Sequence, residues 1–399
     1  MNSGGAASTG PAVQGSRIVE LDALRGVAVI GIAWMNVYVF ALPLQAYANP
    51  AAYGAHSPID FAIWAASFVL IEDKFRTLFA MLFGIGVALM WDRGAHWRSH
   101  LARMAILLAI GILHATVLAS NDILRVYALA GIALPLFLRL GLRGLGIAIA
   151  ALLALHLAGG YAWLASKSGE FFALNYGAHP DGVAYALELG REGFAERVAR
   201  RLATLPATLA TISAAIPINL ASMLVGVALW KAGLLPAEWS RGRGLGLVIA
   251  CCLIALPALS LIAFSAEALA FEPQVVARNA LVLSAPFDLL LGLAYAVILL
   301  LLFTPRHASV GVRVLAAVGR LSLTNYLMTS LVFSALFASW GAGLFGDVSR
   351  SQAFAISLVP GALMLVWSPI WLRFAGQGPA ERFWRACARR IAPERRGAV

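Results

Sequence analysis

Residues 60–91 read DFAIWAASFVLIEDKFRTLFAMLFGIGVALMW. The stretch opens on Asp60 and runs apolar to Ile71. It then places Glu72, Asp73, Lys74 and Arg76 within five residues, and is apolar again from Leu78 to Trp91. As one helix, its 32 residues would be about 48 Å long at ~1.5 Å per residue, longer than a hydrocarbon core of ~30 Å. The charges therefore fall near mid-depth, where ionisable side chains are costly and face a bundle interior or a wet cavity. Glu72 and Arg76, four apart, share a face of such a helix, and Lys74 points to roughly the opposite side. A smooth lipid-facing helix cannot carry that pattern. It predicts a buried helix, kinked or broken around a polar pocket. A self-neutralising structural network inside a bundle is the plainer alternative.

The rest of the chain agrees with a membrane setting. Of 399 residues 61% are apolar and only 12% charged, against about 25% charged in soluble domains. Mean hydropathy is +0.83 and the pI about 10.1. A net charge of +11 would suggest nucleic acid in a soluble protein. Here the basic residues sit in short loops and the C-terminal tail, as membrane orientation demands, and nucleic acid is set aside. The three cysteines form no disulfide framework or metal motif.

Ten apolar runs follow one another, at about 24–43, 60–91, 101–119, 122–138, 144–164, 204–230, 244–264, 279–303, 314–338 and 352–372. The fold expected is an all-α polytopic transmembrane bundle of about ten spans. With the N-terminus inside, twenty Lys and Arg fall in cytoplasmic segments and eight outside, while Lys74 and Arg76 lie within a span. That asymmetry places both termini in the cytoplasm. Residues 1–16 are small and polar and predict a disordered tail. A cleaved signal peptide ending at Ala46-Tyr47-Ala48 is a weaker option, because the run from Val27 to Pro43 is long for one. Two bundles of about five spans, 17–165 and 204–373, flank a long outer loop at 166–203. The second half of that loop, DGVAYALELGREGFAERVARRL, has apolar residues near helical spacing with charges between. It predicts an interfacial amphipathic helix, either lidding a cavity or packing on the surface. Residues 374–399 form a basic cytoplasmic tail.

Several polar residues fall at depth. Asn36, in span one, needs a hydrogen-bond partner from another helix. His114 lies one to two turns from the outer end of span three, with a side chain suited to proton transfer. A satisfied structural histidine is the plainer reading. The following turn, SNDILRVY, offers Asn121 and Asp122 as caps, and Arg125 in an unfavourable first-turn position, paired with Asp122 or binding an anion. Asp60 is a further candidate for this cluster. Asn325 is the informative polar residue of GRLSLTNYLMTS, since Ser and Thr can bond their own helix. His96 and His100 are four apart but have only Asp92 near them, so no metal is expected. Arg93, Arg98 and Arg103 could grip the phosphates of a cytoplasmic cofactor, or serve orientation alone.

Five motifs in order are LDALRGVAVIGIAWMN, EDKFRTLFAMLFGIG, GILHA with NDILRVYALAG, GRLSLTNYL, and GQGPAERFWR. Together, over about residues 17–390, they resemble the YeiB-like family of bacterial inner-membrane proteins, a domain of unknown function. That family is similar to the transmembrane acyltransferase superfamily, whose members carry acyl groups from cytoplasmic acyl-CoA to sugar acceptors across the membrane. Asp60 looks like the aspartate that begins the second helix of those enzymes. The resemblance implies transfer of an acyl group, acetyl first, to an outer hydroxyl or amine of a small molecule or cell-envelope sugar. The histidine of those enzymes lies in the loop before that aspartate, where this chain has only His56 at a shorter spacing. Read from the residues themselves, His114 is the first choice of base, held by Asp122 or Asp60, with Lys74 or Arg76 on the oxyanion and Glu72 balancing their charge. Arg93, Arg98 and Arg103 would hold acyl-CoA. Asn36, Asp73, Asn121, Arg125 and Asn325 would line the pocket. A proton-coupled transporter using Glu72, Asp73, Lys74 and His114 is the rival reading, and a structural or assembly protein the third.

Overall fold

The computed structural model describes residues 18–233 and 240–393, so the tail expected over 1–16 lies outside the described residues. Every regular element among them is helical. In chain order the helices are α1 (Val19–Ala41), α2 (Gln45–Ala48), α3 (Pro58–Leu70), α4 (Lys74–Asp92), α5 (Trp97–Val117), α6 (Leu124–Ala133) and α7 (Leu142–Ala165). The outer loop holds α8 (Gly169–Tyr176), α9 (Pro180–Arg191) and α10 (Phe194–Ala203). Then come α11 (Leu205–Ser213), α12 (Ile216–Lys231), α13 (Arg241–Ala268), α14 (Pro273–Arg278) and α15 (Ala285–Phe303). The chain closes with α16 (Val310–Arg320), α17 (Ser322–Phe337), α18 (Arg350–Ala375) and α19 (Pro379–Ile391).

Seven of these, counting α3 with α4 as one, are long and apolar enough to cross a membrane. An eighth span exists if α11 and α12, bent by 51°, are taken together. The other two apolar runs are the shorter helix α6, extended by a 3-10 turn over Leu134–Phe137, and α17. The chain is thus a polytopic helical membrane protein. The outer faces of α7 and α13 carry exposed Ile147, Leu155, Leu253 and Leu261, an apolar coat that only lipid covers cheaply.

Helix α1 runs through the middle of the bundle. It meets α16 where Gly26 and Gly319 cross: a Cβ on Gly319 would stand 1.7 Å from the Asp22 carbonyl oxygen, and one on Gly26 would stand 2.1 Å from that of Leu315. Helices α4 and α12 cross the same way at Gly84 and Gly226. Small residues at such crossings let backbones touch where lipid supplies no hydrophobic drive.

The opening stretch is broken, as its charges predict. Asp73 takes φ 60°, and the chain leaves helix between Leu70 and Lys74. A break in hydrocarbon exposes carbonyls that must find donors. Lys74 donates to Phe68 O, and Tyr295 donates to Leu70 O at 2.8 Å. Lys74 also pairs with Asp288 at 2.6 Å, both fully buried. The face shared by Glu72 and Arg76 exists only in an unbroken helix: past the turn, Arg76 pairs with Asp73 at 2.6 Å instead. Two further expectations change. The run at 314–338 is two helices, α16 and α17, parted at Leu321. The single amphipathic helix of the outer loop is two, parted at Glu192 and Gly193, where Gly193 donates its N–H to the Glu196 carboxylate and starts α10 afresh.

Candidate functional site

His114 lies in the last turn of α5, buried. The chain turns at once, through Ser120 and Asn121, and Asp122 comes back beside it. His114 Nδ1 and Asp122 Oδ2 are 2.7 Å apart. Gly111 makes room for this return, since a Cβ there would stand 2.8 Å from Asp122 Oδ1. Asp122 also accepts the Arg125 backbone N–H at 3.0 Å, which caps the start of α6. The Arg125 side chain, 1% exposed, sets Nε 3.6 Å from Asp122 Oδ1 and donates through Nη2 to Ser120 O at 2.6 Å. From α17, Tyr326 donates its hydroxyl to Asp122 Oδ2 at 3.4 Å and accepts the Ile123 N–H at 3.2 Å. Its ring lies 5.1 Å from that of His114. Two buried nitrogens in this group have no hydrogen-bond partner among the described residues: His114 Nε2 and Arg125 Nε. In the neutral tautomer that donates Nδ1–H to Asp122, Nε2 carries the lone pair a general base requires.

A pocket approaches this group from each side. The larger, about 570 Å³, opens on the face that carries Ile18 and the last helix. Its mouth is basic, with Arg25, Arg93, Arg103, Arg320, Arg385 and Arg389 set against Asp22 and Glu381. Its walls turn apolar at Val29, Ile32 and Leu107 and continue to Ile123, Tyr127 and Tyr326. The smaller, about 230 Å³, lies between the opposite end of α1, the turn Leu118–Ser120 and the helices α9 and α10. The amphipathic part of the outer loop therefore covers a cavity. Neither pocket has His114 in its wall: one stops at Tyr326, the other at Leu118 and Ala119.

The remaining candidates are placed as follows. Asn36 meets Asn121, which donates to its Oδ1 at 3.3 Å, so the expected partner comes from the turn beside His114. Asp60 is not brought to His114. It accepts from Ser57 Oγ at 2.8 Å and from the Ser351 N–H at 2.8 Å, capping α3 and tying it to α18. Glu72, Asp73, Lys74 and Arg76 line neither pocket, and the Arg76 carbonyl accepts from the Tyr127 hydroxyl at 2.7 Å. Arg93 and Arg103 line the larger pocket, whereas Arg98 is exposed and outside it. Asn325 donates to Val318 O at 2.9 Å and accepts from the Trp367 indole at 2.9 Å, which makes it a clamp between helices. His100 bonds Gly131 O at 2.8 Å.

Two residues escaped sequence reasoning. Tyr326 follows Asn325 in the same motif, but nothing linear joins it to Asp122, 204 positions away. Glu381 comes from α19 to accept the N–H groups of Leu323 at 2.8 Å and Thr324 at 3.1 Å, and so caps α17. A buried acid in a basic tail was the available signal.

The family model described as "Protein of unknown function (DUF418)" matches residues 229–390. The chain is 31% identical to the uncharacterized protein YeiB of Escherichia coli (strain K12), over 94% of this chain and 97% of that protein. It is 27% identical to the uncharacterized protein YxaH of Bacillus subtilis (strain 168), over 94% and 95% of the two chains. No solved structure matches it.

Proposed function

The chain belongs to the YeiB-like DUF418 family of proteins, and from that premise we propose that it is a transmembrane acyltransferase of the bacterial inner membrane. It moves an acyl group, acetyl first, from cytoplasmic acyl-CoA to a hydroxyl or amine on the other side. The observation that carries this reading is the dry His114–Asp122 pair lying between two pockets on opposite faces, with the free Nε2 belonging to neither. A transporter needs one site that faces each side in turn; a transferase needs a donor and an acceptor site that meet at a base.

The basic mouth of the larger pocket is the donor end. Arg93 and Arg103, with Arg25, Arg385 and Arg389, take the CoA phosphates through charge-assisted hydrogen bonds. The apolar wall beyond them receives the pantetheine arm and the thioester. His114 Nε2 removes the proton of the acceptor O–H or N–H as that oxygen or nitrogen bonds the thioester carbon. Asp122 holds the ring and balances the imidazolium. The carbonyl electrons collect on oxygen, and the Arg125 Nε–H, which makes no hydrogen bond among the described residues, is our candidate donor to receive them. Collapse breaks the C–S bond, and the departing thiolate takes the proton from His114.

Calorimetry of the purified, detergent-solubilised chain with acetyl-CoA tests the donor end, and release of free CoA thiol tests the chemistry. Binding at micromolar level is expected, weakened about tenfold in Arg93→Ala and Arg103→Ala. His114→Ala is expected to bind normally and release no thiol. Absence of binding by any acyl-CoA, with the protein folded, overturns the reading. Proton-coupled transport, which would use Glu72, Asp73, Lys74 and His114, or a structural role then moves ahead.

A further inference from the structure

The smaller pocket holds positive charge that the reaction above leaves unused. Arg197, Arg200 and Arg201 project into it from α10, and no acidic side chain among the described residues lines it. Arg200 is neutralised by Glu192, whose two carboxylate oxygens it meets at 2.7 Å each. The other two are not. Arg197, 9% exposed, donates to the carbonyls of Gly190 at 2.8 Å and Glu192 at 3.4 Å. Arg201 donates to the carbonyls of Ala115 at 3.3 Å and Thr116 at 3.4 Å, the two residues that follow His114. Neither has a carboxylate within ion-pair distance among the described residues.

Two guanidiniums crowded into a half-dry pocket are in an unfavourable place for charge. Burial, and after it repulsion from Arg197 and Arg200, pushes Arg201 down to about 10, and burial pushes Arg197 down as well. An anion would relieve both, at the cost of its own desolvation. The planar forks of arginine match the several oxygens of a phosphate better than any neutral ligand. The other walls are apolar, including Phe40, Leu118 and Phe345, and the volume suits a group of headgroup size.

We infer that this outer pocket binds the phosphate of a hydroxyl-bearing phosphate ester, and that this molecule is the acyl acceptor. The second half rests on the acyltransferase reading; the anion site does not. Arg201 ties the pocket to the turn of α5 that carries His114, which sets the bound molecule beside the element that holds the base. The phosphate comes either from an anionic lipid headgroup or from a soluble ester, and the recognition chemistry is the same.

The full-length purified chain is titrated with sn-glycerol 1-phosphate and, separately, with glycerol by calorimetry. Retention of phosphatidylglycerol and of the phosphate-free diacylglycerol is measured by native mass spectrometry. Acetyl-CoA binding is followed on every variant. At least one phosphate probe is expected to bind tenfold or more above its counterpart without net negative charge. Binding only of the lipid assigns a headgroup; binding only of glycerol 1-phosphate assigns a soluble ester. The double variant Arg197→Gln/Arg201→Gln is expected to lose tenfold or more. Because those side chains also hold loop carbonyls, Ala186→Trp is the companion: it fills the pocket and leaves every arginine in place. Arg103→Gln, in the opposite cavity, is expected to change only acetyl-CoA binding. Failure of both phosphate probes to bind, or wild-type binding in both pocket variants, overturns the site. Phosphate binding with no acetyl-CoA binding upholds the site and sinks the acyltransferase reading instead.

Discussion

Asp122 accepts from three donors at once, the His114 ring, the Arg125 backbone and the Tyr326 hydroxyl, and stands beside the Arg125 guanidinium. An asparagine there supplies one acceptor oxygen and an NH₂ that faces donors. It also leaves Arg125 buried without its counter-charge. Asp122→Asn is therefore expected to cost about 3–5 kcal/mol of stability, as the loss of one partner of a buried pair does. A fall in melting temperature by scanning fluorimetry checks this, and an unchanged melting point refutes it. His114→Gln loses one hydrogen bond and is expected to melt close to wild type while thiol release falls at least about a hundredfold. At this scale the sequence was partly legible. The motif GILHA with NDILR brings base and carboxylate within eight residues, so their pairing could be read locally. Asp60 misleads because Ser57 and Asp60 also form a capping box, a local signature that explains the aspartate without chemistry.

The elements that matter most are the interrupted ones. Lys74 serves both the open end of α3 and the carboxylate of Asp288, so one side chain stabilises a break in one span and a charge in another. Lys74→Met is expected to destabilise by about 3–5 kcal/mol through the stranded Asp288. Adding Asp288→Leu should restore most of this, short of the ~1–3 kcal/mol for the unsatisfied Phe68 carbonyl. A double-mutant cycle by thermal unfolding measures the coupling, and additive losses would refute it. The break itself was legible, because four charges in five residues have no place in a smooth span. Its geometry was not: a left-handed Asp73 resets the helical phase, so spacing across it no longer says which residues face each other. The division of α16 from α17 at Leu321 had only weak local cues, Gly319, Arg320 and Ser322, inside a run that otherwise reads as one apolar span.

Over the whole molecule, hydropathy and charge asymmetry expose the ten apolar runs and the helical class, but not which helices touch. That depends on contacts such as Gly319 against the Asp22 carbonyl, where added bulk meets backbone that cannot yield. Gly319→Ala is expected to cost about 1–3 kcal/mol through forced separation of α1 and α16. Gly146→Ala, with nothing within 4 Å of the new methyl, should be silent. Equal melting points for the two would refute the close crossing. The cap that Glu381 places on α17 also sets a schedule. Thr324 and Glu381 are 57 positions apart, and at about 5–20 residues per second that stretch takes on the order of 3–11 s to synthesise. Until Glu381 has been added, the leading N–H groups of α17 lack this cap. A chain without α19 would hold every apolar run and still leave the first turn of α17 without its cap.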